Sequence, residues 1–140
     1  MYDNQEVFEL PEELIEKWQE AANAALPLVL ENPAHGGGPL PDLDFVEISI
    51  VDDPTIDQVH RDFMDIPGAT DVITFAHGEI VVSVETAQSY GAEYGNSYER
   101  ELMLYIIHGL LHLSGHEDED SAERAAMEKI QFEILEKVWK

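Results

Sequence analysis

The chain has 140 residues, 44% of them apolar, no cysteine, and a formal charge of -23 from 30 acids set against four lysines and three arginines. No apolar run approaches the roughly 18 residues a membrane helix needs, and without cysteine neither a disulfide nor a thiolate ligand is available, so any metal must be held by nitrogen and oxygen. Length and composition suit one domain over residues 1–140, and the N-terminal "MYDNQEVFEL" has no basic region or apolar core of a secretory signal, so the expected location is cytoplasmic. The acids are scattered along the chain, which reads as a solvated surface suited to a salty cytoplasm; a basic partner is the other reading.

In chain order, a short strand is predicted at Val7 to Leu10, and Pro11 then opens a helix in which Leu14, Ile15, Trp18, Ala22 and Ala25 recur at helical spacing. "ENPAHGGGPLP" is a connection. Val46, Ile48 and Ile50 alternate with Glu47 and Ser49, the pattern of a strand with one buried face. Asp53 is placed to cap a helix over Pro54 to Phe63, with Pro54 at its first position. "TDVITF" and "EIVVSV" read as two strands joined around His77 and Gly78, and helices occupy most of the chain from Glu85 onward. This order predicts an α/β or α+β layer fold, one small sheet covered by helices.

The chemistry sits in "ELMLYIIHGLLHLSGHEDED". The helix starting at Glu101 is apolar on nearly every side and belongs in the interior, and its His108 and His112, four apart, share a face with Tyr105. Two imidazoles on one buried face each need partners for a donor and an acceptor, a demand met either by a hydrogen-bond cluster or by a metal. Gly115 can end the helix in a sharp turn, after which His116, Glu117 and Asp118 are able to fold back toward the rings. Two nitrogens and one returning ligand leave a fourth position open, the arrangement of catalytic zinc. The spacing H-x-x-x-H-x-x-G-x-x-D resembles the metzincin pattern with its last histidine exchanged for aspartate. A zincin peptidase carries a glutamate as general base directly after the first histidine, and here that place is Gly109.

These residues resemble the YbeY family of rRNA maturation endoribonucleases. The family signature H-G-x-L-H-L-x-G-Y-D-H is matched from His108 through Gly115, "ATDVITF" from Ala69 is similar to its P-T-D-V-L-S-F strand, and "GEIVVSVETA" from Gly78 to its G-D-I-x-I-S strand and following helix. The resemblance implies a zincin-like fold with a small mixed four-stranded sheet around a metal-binding central helix, and one bound zinc ion. It also implies hydrolysis of single-stranded RNA in 16S rRNA maturation and ribosome quality control, with ribosomal RNA and the ribosome or a ribosomal protein as partners, and no membrane or DNA. Its third histidine falls on Asp118, while His116 stands where the family has tyrosine. Family register therefore gives His108, His112 and Asp118 as ligands, with His116 as the alternative to Asp118; Met127, the next landmark, needs no gap to stay in register. The family's arginine ahead of the T-D-V strand is replaced by Met64; Arg61, three residues earlier, is the candidate catalytic cation, against a plain surface pairing with an acid such as Asp65. The alternatives to a nuclease are a metal-stabilised assembly factor without catalysis and a zincin-like peptidase.

Overall fold

The structure, a computed structural model, describes residues 1–34, 36–64, 71–117 and 120–139; Asp65, Ala69, Thr70 and Asp118 lie outside the described residues. The elements run β1 (Tyr2–Asp3), α1 (Glu12–Leu30), β2 (Glu47–Val51), α2 (Asp53–Met64), β3 (Val72–Phe75), β4 (Glu79–Ser83), α3 (Val84–Tyr94), α4 (Tyr98–Leu113) and α5 (Ser121–Val138). The described strands form one four-stranded sheet in the order β1-β2-β4-β3. β1 and β4 both lie parallel to β2, and β3 is antiparallel to β4, so the sheet is mixed and the fold α+β, as expected.

Side-chain alternation dictates which layer covers which face. Ile48, Ile50, Ile80 and Val82 point into the main core with Trp18, Leu102, Ile106 and Leu111, whereas Val51, Val81 and Ile73 point to the other face, against Ile56 of α2. Helix α4 packs against α1, α3, α5 and strands β3 and β4. That central position explains a sequence apolar on most sides: Leu102, Met103, Ile106, Ile107 and Leu111 are all fully buried, each contributing about 1.5–3 kcal/mol of transfer free energy. The Trp18 indole N–H donates to the Glu99 carbonyl at 2.9 Å, and Arg100 pairs with Glu136 at 2.6 Å, tying α4 to α1 and α5. Among the described residues no helix is long and apolar enough to cross a membrane.

Two local expectations are corrected. Val7 to Leu10 is not a strand: the Gln5 side chain accepts from the backbone N–H groups of Val7 and Phe8, and donates to the Phe8 carbonyl, each at 2.9 Å. This side chain folds the segment into a compact turn, and the strand forms earlier, where Tyr2 and Asp3 pair with Ser49 and Ile50. Nor does Asp53 cap α2. Asp52 does, its carboxylate accepting from the Thr55 N–H at 2.9 Å; hydrogen bonds from the Thr55 side chain and then its backbone hold the pKa below the ordinary value. Asp53 instead accepts from the hydroxyls of Ser83 and Thr86 at 2.5 and 2.6 Å, joining the start of α2 to the start of α3.

Candidate functional site

The spacing of four places His108 and His112 on one face of α4, both half-buried, with ring centroids 4.6 Å apart and ring planes nearly perpendicular. What orients them comes from elsewhere in the chain. The His108 Nδ1 lies 2.8 Å from Oε1 of Gln131 on α5, and the His112 Nδ1 lies 2.9 Å from the backbone carbonyl of His116, just past the turn at Gly115. Both partners are acceptors, so each Nδ1 carries the hydrogen and each Nε2 keeps its lone pair. The two Nε2 atoms stand 3.0 Å apart. Two neutral imidazoles presenting lone pairs to one another repel unless a proton or a cation lies between them. The donor set therefore fits a borderline divalent ion such as zinc, with both outer N–H groups already anchored to oxygen in the way that metal-bound imidazoles require.

Gly115 makes this geometry possible. Its φ of 97° is open to glycine at little cost, and a side chain there would collide with the backbone of Gly37, against which the turn packs. The reversal brings the His116 carbonyl back onto the His112 ring. The His116 ring itself goes the other way, its Nε2 lying 2.6 Å from the Asn32 carbonyl. Glu117 lines a cavity of about 350 Å³ together with His112 and with Val72, Ile73 and Thr74 of β3. Among the described residues no third imidazole or carboxylate completes a metal-binding group with the pair, and Asp118 lies outside them.

Gly109 faces the sheet, where a Cβ would stand 2.9 Å from Cγ2 of Ile80. The position next to His108 thus has no room for a side chain unless Ile80 moves, and α4 approaches β4 closely because of it.

Arg61 is exposed on α2 and forms an i,i+4 ion pair with Asp57 at 3.1 Å; Asp65, the partner considered from sequence, lies outside the described residues. The arginine that shares a cavity with His108 is Arg124 of α5, in a space of about 210 Å³ also lined by Gln131, Met127 and Tyr105. Sequence reasoning missed both Gln131 and Arg124. A buried glutamine one turn after Met127 was a detectable signal for the former, since a buried amide needs a partner; no local pattern distinguishes Arg124.

The sequence profile described as Endoribonuclease YbeY matches residues 2–139. The chain belongs to the YbeY family. A relative named Endoribonuclease YbeY from Symbiobacterium thermophilum is 33% identical over 95% of this chain and 92% of its own length. Another of that name, from Heliobacterium modesticaldum, is 30% identical over 88% of this chain and 84% of its own. The fold is shared with a Thermotoga maritima protein of known solution structure, with a TM-score of 0.63 at 23% identity over 99% of this chain and 89% of that one. Membership in the YbeY family supports a nuclease, and hence a hydrolase acting on RNA.

Proposed function

We propose that the chain is a metal-dependent, single-strand-specific endoribonuclease that acts on ribosomal RNA in 16S rRNA maturation and ribosome quality control, with one zinc ion held by His108, His112 and Asp118. The observation that carries this reading is the 3.0 Å approach of two Nε2 atoms whose rings are both anchored through Nδ1. Held by His108, His112 and Asp118, a zinc ion would supply Lewis acidity toward water and a phosphoryl oxygen. The protein's own residues do the rest. Gln131 and the His116 carbonyl hold the imidazoles in one tautomer, and α4, fixed between the sheet and α5, keeps both rings in place. Arg124, which lines a cavity with His108, is the cation placed to meet phosphate charge; Arg61 lines none of the cavities that hold His108 or His112.

The acidic surface favours a second reading, a ribosome assembly factor that binds a basic protein and cuts nothing. A fluorescent single-stranded RNA incubated with and without chelator separates the two. Cleavage that chelator stops and His112→Ala abolishes supports the enzyme; no cleavage under any divalent cation supports the binding protein. Cleavage should also survive salt near 1 M, because the Debye length shrinks from about 10 Å at 0.1 M to about 3 Å there, and screening lets RNA approach an acidic protein. A steady decline of activity from low to high salt would remove that expectation.

A further inference from the structure

Next to the His108 cavity, and sharing Asp71, Glu101 and Tyr105 with it, lies a larger one of about 700 Å³. Its walls carry three carboxylates, Asp53, Asp71 and Glu101, and three phenol rings, Tyr90, Tyr94 and Tyr105, with no lysine or arginine among its described lining residues. Two features there are unresolved by the protein itself. Glu101 is only 8% exposed, takes part in no ion pair among the described residues, and has the Asn96 amide at 3.5 Å as its hydrogen-bond donor. Burial raises its pKa, the Asn96 hydrogen bond offsets part of this, Asp71 works with burial, and the charge of Arg100 works against it. Tyr105 is 4% exposed, and its hydroxyl is buried with no hydrogen-bond partner among the described residues. That hydroxyl lies in the field of Glu101, Asp71 and Asp53, each of which opposes its ionisation. A buried acid in no ion pair among the described residues and a buried hydroxyl without a partner among them, in one cavity, are what a ligand with positive charge and N–H donors would satisfy.

The geometry points to a site for an organic cation, a guanidinium group seated between the Tyr90 and Tyr94 rings and the carboxylates of Asp71 and Glu101. Phosphate is repelled by this lining, and among the described residues no three acids or histidines converge closely enough to cage a metal ion. An elongated acidic wall instead suits a flat, extended cation. Tyr90 and Tyr94 are stacked, with centroids 6.2 Å apart, and present the aromatic surface on which guanidinium lies well. Guanidinium carries only donors, so carboxylates accept from its fork and the Tyr105 oxygen can accept as well. The site does not depend on the metal reading. Its ligand is either an arginine side chain of a basic polypeptide or a free guanidino amine.

The test is a titration of the full chain, followed by backbone amide NMR shifts at fixed ionic strength, with N-acetyl-arginine amide, agmatine and N-acetyl-lysine amide. Saturable shifts centred on Asp71, Tyr90, Glu101 and Tyr105 are expected, stronger for the guanidinium compounds than for lysine amide. Tighter binding of the arginine amide identifies a polypeptide side chain, and tighter binding of agmatine a free amine. Glu101→Gln should weaken binding about tenfold or more, the loss of a charge-assisted hydrogen bond. Tyr94→Ala, at an exposed position, should weaken it without disturbing the fold, and His112→Ala should leave it unchanged. Non-saturating shifts spread over the acidic surface and equal in all variants overturn the proposal, as does equal affinity for lysine amide or loss of binding in His112→Ala.

Discussion

The Nε2 atoms of His108 and His112 face each other at 3.0 Å, while Gln131 and the His116 carbonyl take up both Nδ1 hydrogens. Gln131 is therefore expected to tune the site without being a ligand. Gln131→Ala should weaken zinc binding by about 10–100-fold, the usual cost of losing a partner that orients a metal-bound imidazole. Competition against a chromophoric chelator measures this directly, and wild-type affinity in the variant would mean that the amide orients nothing.

Asp118 and His116 are separable by metal content. His116 has its ring on the Asn32 carbonyl, so His116→Ala should keep zinc while losing about 0.5–1.5 kcal/mol of stability with that hydrogen bond. Asp118→Ala should purify without stoichiometric zinc. The reverse result, with zinc lost only in His116→Ala, would make the ligand set His108, His112 and His116.

Of the arginines weighed for catalysis, Arg124 shares a cavity with His108 and Arg61 is paired with Asp57 on an exposed helix face. Arg124→Ala is expected to lower kcat/KM for RNA by about tenfold or more with zinc content unchanged, because charge-stabilising groups act on the transition state. Arg61→Ala should change it little, since exposed i,i+4 pairs are worth only about 0.3–0.5 kcal/mol. A larger loss in Arg61→Ala would return the catalytic assignment to that residue.

Glu101 and Asp52 should give the stability profile opposite slopes. Burial raises the Glu101 pKa above 4.5, so between the ordinary and the raised value the folded chain holds more protons than the unfolded one. The contribution of this group is full below about pH 4.5 and is lost as pH rises through the folded-state pKa. Glu101→Gln should accordingly be more stable than wild type at neutral pH, with the advantage vanishing in acid. Asp52 is lowered below 3.8, first by its bonds to Thr55; its contribution is present above that pH and is lost as pH falls through the depressed value. Asp52→Ala should cost about 1 kcal/mol at neutral pH, a typical helix cap, and less in acid. Denaturant unfolding across a pH series tests both, and parallel curves for wild type and Glu101→Gln would contradict the burial of that carboxylate.

Whatever depends on neighbours a few residues apart was legible in the sequence. The alternation of Val46, Ile48 and Ile50 marks β2, the apolar run around His108 and His112 marks a buried helix with two imidazoles on one face, and Gly115 marks the turn behind it, because side-chain direction follows from backbone period alone. The tertiary structure decided what competes for the same atoms over longer distances. Asp52 and Asp53 are equally good caps by composition, and only the hydroxyls of Ser83 and Thr86, brought over by the strand pairing, draw Asp53 away. Val7 to Leu10 has strand-like residues, yet one glutamine side chain captures its backbone groups first. The partner that orients His108 lies 23 residues away on α5, and the cavity of tyrosines and carboxylates gathers residues from Asp53 to Tyr105. No local period carries such information, since these contacts exist only after helices and sheet have buried their apolar faces against one another.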